Sequence, residues 1–132
     1  MHKKISELQK QRYRRLLNRV KRTKDIGHMK KIILDYTSYR SNHFPSMNVG
    51  MNGLGDSNGD GLINILDVLQ LIQFILGNPE TIQNHGEQIL SSCNVVYNEE
   101  TQSLIKSDRL TPDILSVVSL VSFILSSDSL QI

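Results

Sequence analysis

Two stretches of the chain, residues 65–77 and 114–126, carry the same pattern of apolar and polar positions. Their sequences, ILDVLQLIQFILG and ILSVVSLVSFILS, align with a shift of 49 residues. Polar residues recur at a spacing of three, at Asp67, Gln70 and Gln73 in the first stretch and at Ser116, Ser119 and Ser122 in the second. A helix with only one narrow polar stripe is expected to be buried on more than one side. The pattern predicts a duplicated pair of core helices. The serine stripe is either a solvated face or a place where another helix approaches closely.

The N-terminal part of the chain has a different helical pattern, with thin apolar faces. Apolar residues recur at helical intervals in residues 5–20 and again, after a break near RTKD, in residues 26–36. They are Ile5, Leu8, Tyr13, Leu16, Leu17 and Val20 in the first segment and Ile26, Met29, Ile33 and Tyr36 in the second. Ser6 is a suitable N-cap for the first helix. Helices with such narrow apolar faces need a partner, or the rest of the chain, to be stably ordered.

Two connecting segments differ in composition. Residues 41–53 are rich in Asn, Gly and Ser and predict a linker, in which Phe44 and Met47 offer apolar contacts to a neighbouring surface. Residues 93–107, CNVVYNEETQSLIKS, place β-forming residues on both sides of Asn-Glu-Glu-Thr. This second segment predicts a small β-hairpin between the duplicated helices.

Charge divides the chain into two parts. Residues 1–40 hold 13 Lys and Arg against 3 Asp and Glu, a net charge of +10, whereas residues 41–132 hold 2 against 10, a net charge of −8. A basic arm of this strength attracts polyanions such as nucleic acid, an anionic membrane surface or an acidic protein face. The alternatives are a solvated helical face and docking onto the acidic part of the same chain. Base-stacking aromatics in the arm are limited to Tyr13, Tyr36 and Tyr39, and no nucleic-acid motif is present.

Residues 55–70, GDSNGDGLINILDVLQ, concentrate oxygen-bearing side chains just before the first apolar helix. With Asp56 as position 1 of a twelve-residue loop, Gly61 falls at position 6, where EF-hand loops have glycine. The ligand positions 1, 3, 5, 7, 9 and 12 then fall on Asp56, Asn58, Asp60, Leu62 (through its carbonyl), Asn64 and Asp67. A helix-capping turn explains any two of these residues but not six in register. The spacing therefore predicts a site for a hard divalent cation such as Ca²⁺, which takes six to eight oxygen ligands.

The loop departs from a common EF-hand in two ways. The preceding stretch, SMNVGMNGLG, is too rich in glycine and asparagine for an entering helix. Position 12 is Asp67 rather than Glu, and its shorter side chain must draw the following helix toward the ion. The preference between Ca²⁺ and Mg²⁺ stays open at this point.

The segment GDSNGDGLINILDVLQLIQFILGN, residues 55–78, resembles the calcium-binding repeat of type I dockerin domains. Repeats of that family begin with Gly-Asp, lack the entering helix and have Asp at position 12. The resemblance implies an all-α, dockerin-like pair of loop-helix repeats, here preceded by a basic helical arm. It also implies Ca²⁺ and a protein partner, either cohesin-like or another assembly subunit. The implied division is an arm at 1–40, a linker at 41–53 and a dockerin-like module at 54–132.

The second loop has lost the metal-binding pattern. The same shift of 49 residues places Arg109 at position 5 and Leu110, instead of glycine, at position 6. A cation in the loop excludes Ca²⁺, so we expect one ion and not two. The sequence SDRLTPDIL is interpreted as a helix start, with Thr111 as the N-cap, Pro112 at the first helical position and Asp113 stabilised by the helix dipole.

The dockerin resemblance also bears on partner recognition. Dockerins often have small hydroxyl residues that contact cohesin at the two positions before the last ligand, but here these are Ile65 and Leu66. Hydroxyl-based docking is therefore not expected. The two residues either pack in the core of the chain or form an apolar contact with a different partner.

The rest of the sequence limits the possible functions. The four histidines and Cys93 show no zinc spacing, and no phosphate loop or nucleophile motif is present, so we do not expect an enzyme. No apolar segment is long enough to span a membrane. The first twenty residues lack the apolar run of a signal peptide, so we expect an intracellular location or a place in a particle.

Two classes of function follow from the sequence. The first is a non-catalytic, calcium-binding docking module that acts as a subunit of a larger assembly, for which a minor virion component is one possible context. The alternative is an accessory protein that binds nucleic acid or another polyanion through residues 1–40. Under the alternative, the ion site only holds the fold.

Overall fold

The computed structural model describes residues 7–39, 47–48 and 53–126, and most of these residues are helical. The helices are α1 (Glu7–Arg22), α2 (Ile26–Tyr39), α3 (Ile65–Ile75), α4 (Pro79–Ser92) and α5 (Ile114–Leu125). Two small antiparallel sheets pair β1 (Met47–Asn48) with β2 (Leu62–Ile63), and β3 (Val95–Asn98) with β4 (Ser103–Lys106). The predicted all-α fold class is confirmed. Within the described part of the chain, every helix is too short or too polar to cross a lipid bilayer.

The duplicated helices α3 and α5 lie close to their predicted bounds and pack against each other. Both begin with a capping box, and the two boxes are related by the shift of 49 residues. In α3 the N-cap is Asn64 and its reciprocal partner is Asp67; in α5 they are Asp113 and Ser116. Because each side chain of a capping box satisfies a free backbone N–H, the two helices start in the same way.

The start of α5 differs in detail from the prediction. Thr111 is not the N-cap and Pro112 is not the first helical residue, because Asp113 takes the N-cap position. The Asp113 carboxylate accepts hydrogen bonds from the Leu115 and Ser116 amides, at 3.0 and 3.3 Å. A carboxylate is at least as good an N-cap as a threonine hydroxyl, which accounts for the shift of two residues.

The serine stripe of α5 is not a solvated face. Ser116 has no exposed surface and Ser122 is only 9% exposed. Helix α1 and strand β3 both pack against α5. Ser119 is partly exposed, so the stripe is largely but not wholly buried, and a close approach of another helix to its serines stays a prediction.

Helices α1 and α2 contribute to the same apolar cluster as the acidic part of the chain. Helix α1 packs against α5, and α2 packs against α3. Most of their thin apolar faces is buried, although Leu8 is 52% exposed. The fully buried side chains are Tyr13, Leu17, Val20, Met29 and Ile33. The apolar faces thus find their partner within the chain. The division into an arm, a linker and a module at residues 40 and 53 stays a prediction.

The predicted hairpin is present, with Val95 opposite Lys106 and Asn98 opposite Ser103. In the predicted linker, Met47 and Asn48 form β1, which pairs with Ile63 and Leu62 of the loop. The suggested contact of Phe44 lies outside the described residues.

Helix α4 was not predicted. Its start nevertheless has a sequence signature: Asn78 caps the helix by accepting the Thr81 amide at 3.1 Å, and Pro79 follows.

Gly55 immediately precedes the loop that begins at Asp56 and connects it to the helical part of the chain. Its φ angle is +95°, and its amide donates to the Ser92 carbonyl at 2.7 Å. A β-carbon at this position would lie 3.0 Å from Leu104 Cδ1 and 3.1 Å from Leu120 Cδ1. The Gly-Asp step is thus required by both backbone conformation and packing.

Gly55→Ala is expected to lower the free energy of unfolding by roughly 2–4 kcal/mol, combining left-handed strain with overpacking. The matched control is Gly77→Ala, because Gly77 has a φ of +83° but nothing within 4 Å of its added β-carbon. In the control, backbone strain alone is expected to lower the free energy of unfolding by roughly 1–2 kcal/mol. Urea denaturation measures both, and equal losses would show that the Gly55 site has room for a methyl group.

Candidate metal centre

Three carboxylates from the loop and the start of α3 converge on one point. One oxygen from each of Asp56, Asp60 and Asp67 lies within 4.8 Å of the other two. Calcium–oxygen distances of about 2.3–2.6 Å place opposite ligands about 5 Å apart. The three groups are therefore close enough to share a single ion.

The loop owes its curvature to hydrogen bonds between its side chains and its own backbone. Asp56 accepts from the Gly59 and Gly61 amides, both at 3.0 Å. Asp60 accepts from the Leu62 amide at 2.9 Å. Gly59 and Gly61 have φ angles of +73° and +83°, a conformation that other residues rarely adopt. These hydrogen bonds curve the loop, and the carboxylates of Asp56 and Asp60 approach that of Asp67.

Asp67 lies at the closed end of the site and has no exposed surface. Its Oδ1 accepts from the Ser57 amide and lies 3.0 Å from the Ser57 hydroxyl, and its Oδ2 accepts from the Asn64 amide at 2.9 Å. Burial raises the pKa of Asp67 to about 7 despite these hydrogen bonds, and the nearby charges of Asp56 and Asp60 add to the rise. A divalent cation beside this carboxylate would stabilise its charged form.

Two side chains of helix α4 contact the backbone of Asp56, the first residue of the loop. Gln88 Nε2 donates to the Asp56 carbonyl at 2.9 Å, and the Ser92 hydroxyl lies 3.0 Å from the same oxygen. These two residues and Ser57 belong to the site but were not found from the sequence. The Asn-Pro start of α4 was the available signal for the helix, but nothing local indicated its contact with the loop.

The remaining predicted ligands lie along the same loop. Asn58 Oδ1 accepts the Asp60 amide at 3.2 Å, and Leu62 lies in strand β2 with its carbonyl part of the loop backbone. The Asn64 side chain caps α3 by accepting the Leu66 amide at 3.0 Å. Of the six predicted ligands, the structure brings together the carboxylates of Asp56, Asp60 and Asp67. The roles of Asn58, Leu62 and Asn64 as ligands stay a prediction.

The second repeat carries a guanidinium at the position corresponding to Asp60. Arg109 Nη2 donates to Ser116 Oγ at 3.1 Å and to the Val95 carbonyl at 3.2 Å. Its Nε lies 3.0 Å from Asp113 Oδ2, in an ion pair without the alignment of a hydrogen bond. Ser116 and Asp113 correspond to Asp67 and Asn64 of the first repeat. In the second repeat, a side-chain cation therefore bridges the positions that correspond to two predicted metal ligands of the first repeat.

The two residues before Asp67 have separate environments. Ile65 is fully buried, whereas Leu66 is 41% exposed on the first turn of α3. The core alternative drawn from the sequence therefore applies to Ile65, and a partner contact of Leu66 stays a prediction. Ile65 packs in the core, and Leu66 remains at the surface beside the loop.

The comparison with known families supports this interpretation of the loop. The family model of the dockerin type I domain matches residues 54–89, which include the loop, α3 and most of α4. Searches of curated proteins and of solved structures returned no significant match. The match does not extend to the second loop or to α5, whose relation to the first repeat rests on the shared capping boxes and the 49-residue shift. Residues 54–89 are therefore dockerin type I-like, and the function class that this implies is a calcium-binding, protein-docking module.

Proposed function

We propose that this chain is a non-catalytic docking subunit of a larger assembly, such as a virus particle, and that one Ca²⁺ organises its docking surface. The observation that carries the proposal is the convergence of Asp56, Asp60 and Asp67 within 4.8 Å. Three carboxylates with a shared focus repel one another unless a cation lies between them. The dockerin type I match over the same residues supports calcium as that cation.

The proposed ligands are Asp56, Asn58, Asp60, the Leu62 carbonyl, Asn64 and Asp67. All of them provide oxygen, the donor that Ca²⁺ and Mg²⁺ prefer. Asn64 reaches the ion through a water molecule in this proposal, as position 9 often does, because its side-chain oxygen caps α3. The flexible loop and the number of ligands favour Ca²⁺ over the smaller Mg²⁺, which demands near-octahedral geometry.

A single ion is proposed because Arg109 fills the corresponding place in the second repeat. Its bonds to Ser116 and Val95 fix the start of α5 to the hairpin without a metal. Calorimetric titration is expected to give one Ca²⁺ per chain in the wild type and in Arg109→Asp. The variant removes the cation but leaves Ile105 and Leu110 at loop positions 1 and 6. Two ions in the wild type would show that the second loop retains a site.

Arg109→Lys tests whether the guanidinium organises the second repeat. Lysine keeps the charge but cannot bridge Ser116 and Val95 with the same planar fork. Loss of charge-assisted hydrogen bonds is expected to lower the free energy of unfolding by about 1–3 kcal/mol. Arg14→Lys is the matched control, because Arg14 makes one long hydrogen bond of 3.4 Å to the Leu125 carbonyl. Equal stability of Arg109→Lys and the wild type would contradict this role.

The proposed docking surface includes Leu66. This side chain is exposed on the turn of α3 that also carries Asp67, so the order of the loop determines its position. An apolar residue at the surface, next to an ion-dependent loop, suits a partner contact that depends on calcium.

Capture of partners from the native source tests the docking surface. An affinity bait that carries the wild-type chain is expected to retain a partner in the presence of Ca²⁺ and to release it when a chelator is added. Leu66→Asp is expected to abolish the capture, whereas Leu90→Asp, at a leucine 47% exposed on α4, is expected to retain it. Capture that survives both chelator and Leu66→Asp would overturn the proposal.

The polyanion alternative has less structural support. Two of its three candidate stacking residues, Tyr13 and Tyr36, pack against each other with ring centroids 6.2 Å apart. Tyr13 is fully buried, so it offers no surface for a base. Strongly salt-dependent binding of the full chain to nucleic acid, lost on neutralising the exposed arginines of α1, would restore the alternative.

A further inference from the structure

Asp67, the predicted ligand at position 12 of the loop, already uses most of its capacity to accept hydrogen bonds. Its Oδ1 accepts from the Ser57 amide and lies 3.0 Å from the Ser57 hydroxyl, and its Oδ2 accepts from the Asn64 amide at 2.9 Å. A carboxylate has about four acceptor positions, divided equally between its two oxygens. Ser57 therefore occupies both positions of Oδ1, and the position that remains lies on Oδ2.

The Ser57 hydroxyl is held by a third polar group. Its Oγ lies 3.0 Å from Gln70 Oε1 as well as 3.0 Å from Asp67 Oδ1. Because a hydroxyl has a single proton, all three groups are satisfied only when the Gln70 amide turns its Nε2–H toward Ser57 and Ser57 donates to Asp67. Ser57 has no exposed surface, so solvent does not compete for that proton. The hydroxyl is thereby committed to Oδ1.

The peptide group between Asp56 and Ser57 is fixed on both sides, which keeps Ser57 in place. Gln88 Nε2 donates to the Asp56 carbonyl at 2.9 Å, and the Ser92 hydroxyl lies 3.0 Å from the same oxygen. The amide of the same peptide donates to Asp67 Oδ1 at 3.0 Å. Since α4 and α3 hold opposite sides of this peptide, Ser57 cannot withdraw from Asp67 without breaking these hydrogen bonds.

We infer that Ser57 is a specificity-determining residue of the metal site, because it limits Asp67 to one ligand oxygen. The inference rests on the proposed function, in which one oxygen each comes from Asp56, Asn58, Asp60, the Leu62 carbonyl, a water molecule on Asn64, and Asp67. These six oxygens are the number that octahedral Mg²⁺ requires and the lowest number that Ca²⁺ takes. A second oxygen from Asp67 would suit Ca²⁺ but not Mg²⁺. Ser57 thus narrows the preference of the site for Ca²⁺.

Calorimetric titrations of the full chain with CaCl₂ and with MgCl₂ test the inference through the ratio of the Kd for Mg²⁺ to the Kd for Ca²⁺. Ser57→Ala frees one position on Asp67 Oδ1. The ratio is then expected to rise about tenfold, the lower end of the effect of an outer partner on metal affinity. Ser116→Ala is the matched control, because Ser116 is also fully buried and hydrogen-bonded but lies in the second repeat. Its ratio is expected to stay within about twofold of the wild type, since distant sites act independently.

Gln70→Met is a second variant, in which the loop keeps its own sequence. Methionine fills a similar space but cannot donate a hydrogen bond to Ser57. The Ser57 hydroxyl is then held less firmly on Asp67 Oδ1, so the ratio is expected to rise by about threefold, less than in Ser57→Ala. Because Gln70 is only partly buried on α3, this variant is expected to fold even if Ser57→Ala does not.

Infrared spectroscopy of the Ca²⁺-loaded chain gives a readout that does not depend on affinity. A carboxylate that binds a cation through both oxygens has a smaller separation between its antisymmetric and symmetric stretches than one that binds through a single oxygen. This two-oxygen signature is expected to appear in Ser57→Ala. The wild type and Ser116→Ala are expected to lack it.

The outcomes separate this inference from the proposed function. A wild type that binds Ca²⁺, with a ratio that does not rise in Ser57→Ala, overturns the inference and leaves the calcium site in place. If Ser57→Ala does not fold, a ratio that does not rise in Gln70→Met has the same meaning. A two-oxygen signature already present in the wild type also overturns the inference. Failure of the wild type to bind Ca²⁺ would instead contradict the proposed function itself.

Discussion

Asp60→Ala is expected to reduce the affinity for Ca²⁺ by more than about 100-fold, since losing even an outer partner of a metal ligand costs about 10- to 100-fold. Asp60 supplies one of the three carboxylates that converge within 4.8 Å. Asp60 is exposed, and its carboxylate accepts a hydrogen bond from the Leu62 amide within the loop, so its replacement is expected to leave the helices intact. Calorimetric titration measures the affinity, and circular dichroism checks the fold.

The matched control for Asp60→Ala is Asp108→Ala. This variant removes the same charge from an exposed aspartate of the second loop, which is proposed to bind no ion. Its affinity for Ca²⁺ is expected to stay within about threefold of the wild type, because long-range charge effects are screened by salt. If both variants bound as tightly as the wild type, the ligand assignment would be wrong.

Tyr13→Ala is expected to lower the free energy of unfolding by about 3–5 kcal/mol, the cost of removing a large aromatic side chain from a core. Tyr13 is fully buried although it lies in the basic N-terminal helix. Its ring contacts Tyr36 of α2, and its hydroxyl approaches the start of α3 near the Ile65 amide and Asp67. The loss is expected because the side chain of Tyr13 lies in the apolar core to which α1 contributes. Urea denaturation with saturating Ca²⁺ measures it.

Two further variants distinguish the contribution of the Tyr13 ring to stability from that of its hydroxyl and from that of other positions on α1. Tyr13→Phe is expected to stay within about 1 kcal/mol of the wild type, because the hydroxyl lacks a hydrogen bond of ordinary geometry in the described part of the chain. Leu8→Ala replaces a side chain of the same helix, and that side chain is 52% exposed. This variant is expected to lower the free energy of unfolding only slightly. A loss below about 1 kcal/mol in Tyr13→Ala would mean that α1 does not dock as described.

The repeated helices and the loop were predictable because their signals are local. Apolar spacing fixes the helices α3 and α5, and the positions of Asp56, Asp60 and Gly61 fix the curvature of the loop. The hairpin was also visible as β-forming residues on both sides of a polar turn. In each case, residues close in sequence determine the structure.

The parts that escaped prediction depend on contacts between distant residues. Helix α4 has a mixed surface, and its role became clear only from the contact of Gln88 with the Asp56 carbonyl, 32 positions away. The segments that cover the apolar faces of α1 and α2 could not be predicted from the sequence of these two helices alone. Arg109 was recognised as unfit for a metal loop, but its bond to the Val95 carbonyl requires the hairpin to bring both segments together. The start of α5 was misplaced because Thr111 and Asp113 are both good N-caps and only the fold selects between them.

The most direct test of the central claim is anomalous diffraction from crystals of the full chain grown with Ca²⁺. The account predicts one calcium peak, surrounded by oxygens of Asp56, Asn58, Asp60, Asp67 and the Leu62 carbonyl. It also predicts the Arg109 guanidinium, without a metal, beside Ser116. A loop without a calcium peak in crystals grown with excess Ca²⁺, or a calcium ion bound in the second loop, would contradict the account.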